Sequence, residues 1–221
     1  MNKNLKALFG AFAILFASNS MAQADGFAVG VAYVHADLHS TGTETLRDSS
    51  KKTNAVSDES VQVPEVFLEY GWDNGAAVGV SFVPSRDLGK KSRTDVAVNS
   101  GDDAATYTAD AEVKNFAMLY IDAPVYNYSG TTLYVTGGVA NTTIQTKEDL
   151  NSGASYDDAD VLGYMYGVGI KGGIWGTDNA FYKLGWSLTD FEEIKLSDTG
   201  GNQIKADTEA KVYSLAVGYK F

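Results

Sequence analysis

Tyr213-Ser214-Leu215-Ala216-Val217-Gly218-Tyr219-Lys220-Phe221 closes the chain, and the direction of its side chains decides the fold. Tyr213, Leu215, Val217, Tyr219 and Phe221 are large and apolar or aromatic; Ser214, Ala216, Gly218 and Lys220 are small or polar. A period of two with one uniformly apolar face is a strand between two different environments. In a water-soluble protein the apolar face turns inward. In a membrane barrel it turns outward to lipid, and the other face lines the lumen.

The amino terminus bears on that choice. Lys3 and Lys6 precede an apolar run, Ala7 to Ala17, and Ala22-Gln23-Ala24 has the small-x-small form of a cleavage site. The run is about eleven residues, against the roughly 20 that span a bilayer as helix. Residues 1–24 therefore read as a cleaved secretory signal with Ala22 and Ala24 at the cut, and residues 25–221 as one domain. No Cys stands near the cut to carry a lipid anchor, and with no Cys anywhere a disulfide framework is excluded. The net charge of −11 argues against nucleic acid as a partner. The 23 Gly and 3 Pro suit a strand-rich chain better than a helical one.

Eight alternating segments can be laid along the chain: about 27–38, 61–72, 76–86, 107–122, 132–145, 162–171, 181–189 and the final strand. The sixth is the most regular, with Leu162, Tyr164, Tyr166, Val168 and Ile170 on one face and Gly163, Met165, Gly167, Gly169 and Lys171 on the other. The fourth contains Phe116-Ala117-Met118-Leu119-Tyr120-Ile121, apolar at every position, so periodicity leaves its facing undecided. The connections alternate. Polar stretches 39–60, 87–106, 146–158 and 197–207 are long, while Asp73-Asn74-Gly75, Pro124 to Gly130 and Gly176 to Asn179 are short. Outer-membrane barrels have this rhythm, with short periplasmic turns and longer extracellular loops.

The expected fold is thus all-β, an eight-stranded antiparallel up-and-down transmembrane barrel. The alternative is a water-soluble barrel with the bulky face inside. Against it, Trp72, Tyr182, Tyr219 and Phe221 fall near the short-turn ends of their strands, and Tyr33, Tyr164 and Tyr213 near the long-loop ends. Two aromatic belts are what anchoring at two bilayer interfaces produces. The register then places Glu65, Glu69, Lys171, Lys183 and Lys220 on the lumen face. Buried lone charges are costly, so Glu65 or Glu69 is expected to pair with Lys171 or Lys183 across the lumen. An eight-strand lumen is just wide enough for side chains to fill, and no wide channel follows.

Other motifs carry little. Gly167-Val168-Gly169-Ile170-Lys171-Gly172 spells G-x-G-x-x-G, but inside a strand with no helix after it, so no dinucleotide site follows. His35 and His39, with Asp37 between them, lack further convergent ligands, so neither metal nor cofactor is expected. No Ser/His/acid constellation stands out, and the chain reads as a non-enzyme.

The region from Asp25 to Phe221 resembles the small outer-membrane β-barrel superfamily, the eight-stranded group with the outer-membrane protein A and X types and the Opa-like surface proteins. The resemblance rests on the leader, the strand and loop rhythm, Leu133-Tyr134-Val135-Thr136-Gly137-Gly138-Val139-Ala140 and the terminal Tyr219-Lys220-Phe221. It implies residence in the bacterial outer membrane among its lipids. It also implies insertion by the barrel-assembly machinery, which would read Tyr213, Leu215, Val217, Tyr219 and Phe221, with no peptidoglycan-binding domain after the barrel. The implied roles are adhesin-like or structural, with loops meeting an extracellular ligand. The alternative is a narrow pore or transporter, the lumen charges setting its selectivity.

Overall fold

In a computed structural model of the chain, residues 25–45, 52–95, 105–149, 156–175, 177, 179–197, 201 and 203–221 are described. The expected leader, with Ala22 and Ala24 at its cut, lies outside them. The strands are β1 (Gly26–Thr45), β2 (Lys52–Gly71), β3 (Ala77–Val83), β4 (Arg86–Asp95), β5 (Ala105–Tyr128), β6 (Thr131–Asp149), β7 (Ala159–Gly173), β8 (Ala180–Phe191), β9 (Ile194–Ser197) and β10 (Gln203–Lys220). All pairings are antiparallel, and β1 pairs with β10, so the sheet closes into a ring. The ring has eight positions: β3 and β4 share one, broken at Pro84-Ser85, and β8 and β9 share another, broken at Glu192-Glu193.

The bulky alternate residues face outward. Leu162, Tyr164, Val168, Leu184, Leu215 and Val217 are all exposed, as are Phe27, Val29, Val31 and Tyr33 on β1. Water would not tolerate so continuous an apolar belt on a monomer; hydrocarbon does. Aromatic rings mark its edges, with Phe27, Tyr70 and Trp72 in edge contact at the short-turn rim (5.1 and 5.5 Å between centroids) beside Tyr219 and Phe221 (5.6 Å). Tyr33, Tyr164, Trp186 and Tyr213 are exposed toward the other rim.

The strands do not stop at that second rim. Strands β1 and β2 are 20 residues each, whereas a tilted crossing needs about 9–11. Much of the expected long polar loops is strand: the β1–β2 ladder continues to Thr45 opposite Lys52, and β5–β6 to Thr108 opposite Asp149. Polarity inverts along the way. On β1 the outward series runs Phe27, Val29, Val31, Tyr33, then His35, Asp37, His39; the inward series runs Ala28, Gly30, Ala32, then Val34, Ala36, Leu38. On β10 the outward Tyr213, Leu215 and Val217 give way to Lys211, Glu209 and Asp207, and the inward Ser214 and Ala216 to Val212 and Ala210. Above the belt these two strands are therefore solvated outside and apolar inside, as far as Leu38 on β1 and Ala210 on β10.

The undecided facing of residues 116–121 has a local cause. Asn115 takes φ 54° at a bulge where β5 shifts register against β6 between Lys114 and Ala117. One extra residue reverses which parity faces inward. Below the bulge Met118, Tyr120 and Asp122 line the lumen; above it Val113 and Ala111 do, with Phe116 beside them. Ala117, Leu119 and Ile121 form the outward face, so both faces are apolar here. The expected short connection from Pro124 to Gly130 is also mostly strand: β5 runs to Tyr128, and Ser129 and Gly130, both at positive φ, make the turn.

The wall is interrupted at a seam between β2 and β4, and β9 likewise pairs with β10 alone, without a ladder to β7 among the described residues. β2 pairs with β3 only from Val66–Phe82 to Gly71–Ala77. Beyond Pro84, β4 pairs with β5 alone, and β2 continues on β1 alone. Proline removes a ladder donor and fixes φ; Pro84 ends β3 at this level, and Pro64 stands two residues past the last β2–β3 pair. Among the described residues, β2 and β4 run apart above it.

Candidate functional site: an apolar chamber above a charge lock

In the lower, membrane-embedded half the lumen is filled. Four large rings lie where the facing strand has glycine instead of a side chain: Phe67 over Gly30, Tyr120 over Gly79, Tyr134 over Gly169 and Phe181 over Gly218. A methyl group at any of these glycines would collide with the ring, so Gly169 of the G-x-G-x-x-G run makes room for Tyr134 rather than for a phosphate. Among the rings sits a compact ionic cluster. Lys171 Nζ donates to Glu69 Oε1 at 2.5 Å; Lys183 Nζ donates to Glu69 Oε2 at 3.0 Å and to Asp122 Oδ2 at 2.6 Å. The Tyr120 hydroxyl donates to Glu69 Oε2 at 3.1 Å. Lys171 also lies 4.2 Å from the Phe181 ring centre, and Lys183 4.9 Å from that of Tyr120. Glu69 is 1% exposed and carries two ammonium partners. Two carboxylates and two ammonium groups balance, which is what makes so buried a set tenable.

Above the lock the lumen changes character. A cavity of about 360 Å³ occupies the upper half, walled by residues of every strand in the ring. Its wall is almost entirely apolar: Val34, Leu38, Val63, Val113, Phe116 and Ile144 are typical. A smaller cavity of about 90 Å³ lies between this chamber and the lock, touching Lys183, Asp122 and Tyr134. Six residues line both cavities and form a collar: Val34, Glu65, Met118, Met165, Ser187 and Val212. Glu65 is the single charged member. Its nearest polar support is Ser81, whose buried hydroxyl nonetheless has no hydrogen bond of normal geometry among the described residues. Val61, Val63, Val83, Pro84 and Arg86 line the chamber next to the seam.

The outer rim is polar. His39 Nδ1 and Asp58 Oδ1 are 2.6 Å apart, His35 Nε2 and Asp37 Oδ1 3.3 Å, all on the outward face. At the mouth Lys195 lies 2.6 Å from Glu193; that hydrogen bond holds the Glu193 carboxyl below its ordinary pKa and the Lys195 ammonium above. Beside them an open groove of about 480 Å³ is lined by Asp157, Asp158, Asp160, Glu192 and Glu193.

Of the lumen charges expected from the sequence, Glu69, Lys171 and Lys183 meet in the lock. Glu65 stands two inward positions above Glu69, beyond Phe67, with no cation at ion-pair distance among the described residues, and Lys220 lies near the short-turn end, opposite Ala28. Asp122 and Tyr120 were missed, because they belong to the strand of undecided facing. The chamber was missed altogether, because a lumen face was expected to be small or polar throughout. The signal was present in Val34, Leu38, Val61 and Val63, apolar at inward parity inside segments otherwise polar.

The last strand, the expected assembly signal, pairs on both edges: Tyr213 lies opposite His35 and Trp186, and Val217 opposite Val31 and Tyr182. A closed antiparallel ring, an apolar outer belt with aromatic rims and a chain matched over residues 9–221 by the model of the outer membrane protein beta-barrel domain decide the family. The chain belongs to the outer-membrane β-barrel family. It resides in the bacterial outer membrane.

Among solved structures this barrel is similar to the outer membrane protein OprG from Pseudomonas aeruginosa, at 16% identity and TM-score 0.57, covering 92% of this chain and 99% of that one. It is also similar to the outer membrane protein AlkL in lipid bilayers, at 14% identity and TM-score 0.52, covering 92% and 93%. The outer membrane protease OmpT from Escherichia coli matches at 10% identity and TM-score 0.49, covering 93% and 99%. Identities this low speak to the fold alone. No curated protein matches the sequence.

Proposed function

We propose that this barrel takes small apolar molecules from outside into its upper chamber and releases them through the β2–β4 seam toward the outer leaflet, without catalysis. The observation that carries this reading is the apolar cavity of about 360 Å³ standing directly over a lumen sealed by paired charges. An apolar pocket of this size with few polar groups is the form that small-molecule sites take. Water-borne ions gain nothing from such a wall, and the lock with its packed rings stands across the lumen beneath it. The narrow-pore alternative therefore becomes a sideways passage for apolar solutes, with the lock as floor rather than selectivity filter.

The test is fluorescence of N-phenylnaphthylamine with the barrel in phosphatidylcholine nanodiscs. Saturable enhancement over empty nanodiscs, abolished by filling the chamber with Val63→Trp, is expected, together with silence in planar-bilayer conductance. Stable single-channel steps would point to an aqueous pore and overturn the reading. A second reading, contact with an outside partner, has its own support in the acidic groove at the rim, which suits a basic ligand. Export through cleavage after Ala24 and insertion guided by the last strand, from Tyr213 to Phe221, complete the proposal; a truncation removing Phe221 should lower the inserted fraction.

A further inference from the structure

We infer that Glu65 anchors a cationic head group, so that the chamber prefers single-chain alkyl amines, head down at the collar and tail toward the outer mouth. This rests on the chamber reading above and names its ligand class. The collar is the common boundary of the two cavities, and Glu65 is its one charged residue among Val34, Met118, Met165, Ser187 and Val212. The nearby cation in the floor is already committed: Lys183 bonds Glu69 at 3.0 Å and Asp122 at 2.6 Å. With Glu69 and Asp122 balanced by Lys171 and Lys183, Glu65 is the acid of the lumen's mid-section with no ammonium at ion-pair distance among the described residues.

A carboxyl group facing an apolar space holds its charge only when a group of opposite sign arrives, and an ammonium brings that charge with up to three donors in the strong charge-assisted class. An anionic amphiphile would meet repulsion at the same collar. The one cation of the chamber lining, Arg86, stands at the foot of β4 beside the seam and is exposed to water, so it offers an anionic head a solvated contact rather than a buried one. Length agrees with one alkyl chain. From Val34 to Ser40 the chamber follows β1 for six residue steps, about 20 Å along the strand at roughly 3.3 Å per step, and about 15 Å along the axis at the usual tilt. Met118 and Met165 flank the anchor with flexible, adaptable side chains.

The experiment displaces N-phenylnaphthylamine from the barrel in phosphatidylcholine nanodiscs with decylamine, decanol and decanoate, correcting for empty nanodiscs. Decylamine should displace the probe at a concentration about tenfold below that of decanol, one charge-assisted hydrogen bond's worth of preference. Glu65→Gln should collapse that ratio toward one, while Glu65→Asp retains part of it. The same ratio in the wild type and in Glu65→Gln, or stronger displacement by decanoate, overturns the anchor and leaves the chamber intact. Failure of the probe and all three compounds to bind saturably overturns the chamber itself. Should Glu65→Gln fail to close into a barrel, the wild-type series decides alone, since absence of an amine preference contradicts the inference.

Discussion

The two halves of this barrel obey opposite rules with the same strands. In the membrane half the wall is apolar outside and the lumen holds charges, rings and glycine; in the outer half the wall is polar outside and the lumen is apolar. The change occurs within two residues on β1, between Tyr33 and His35, and one outward position farther along on β10, between Tyr213 and Lys211, since Tyr213 lies opposite His35. What differs is the solvent. Hydrocarbon draws apolar side chains outward and forces the polar residue set to satisfy itself inside; water reverses both demands. The upper half is in effect a soluble barrel grown on a membrane one, and a soluble barrel with an unfilled core is a binding chamber.

The largest test of the contrast strikes the lock. Lys183→Met leaves Glu69 and Asp122 buried against one remaining ammonium, and should cost about 3–5 kcal/mol. The temperature at which the unheated gel mobility is lost should fall accordingly; an unshifted transition would mean that the cluster is water-solvated. Next comes the wall, where one face crosses both zones. Val217→Lys in the belt should cost roughly 2–4 kcal/mol at mid-bilayer depth. Lys211→Val, on the same face of the same strand, should change stability by less than about 0.5 kcal/mol. Urea unfolding in lipid measures both, and equal effects would erase the boundary drawn here.

Filling the chamber sharpens the comparison from the other side. Val63→Trp should lower N-phenylnaphthylamine affinity by at least about tenfold while costing about 1–3 kcal/mol through overpacking. A binding curve unchanged by that substitution would place the probe elsewhere. The smallest effect is at the bulge, where Asn115 already tolerates φ 54° better than most residues. Asn115→Gly should move stability by only a few tenths of a kcal/mol, because glycine relieves the left-handed conformation but loosens the unfolded chain. A loss above about 1 kcal/mol would show that the Asn side chain itself holds the bulge.

Much of the lower half is legible in the sequence, because one solvent acts on each face and a period of two records it. The regular run from Leu162 to Lys171, the terminal strand and the lumen facing of Glu69, Lys171 and Lys183 follow from parity, while the choice of Glu69 over Glu65 as the partner of both lysines does not. The outer ends of the strands are obscured for a physical reason: from His39 to Thr45 and from Lys52 to Ser60 both faces are largely polar or small, so nothing separates strand from loop there. Asp122 was hidden by a parity change at Asn115, which a window centred on 116–121 averages away. The seam has a local trace in Pro64 and Pro84, but which strands part there depends on pairings between residues distant in the chain.

The lock draws its members from β2, β5, β7 and β8, and its bonds bridge 51 to 114 positions of sequence. No single hairpin can assemble it. A partly closed sheet would hold carboxylates in a dehydrating interior before their ammonium partners arrive, so incomplete forms are penalised on the way in and again on the way out. The barrel's endurance then becomes a matter of lifetime, with escape slowed because every early break strands a charge.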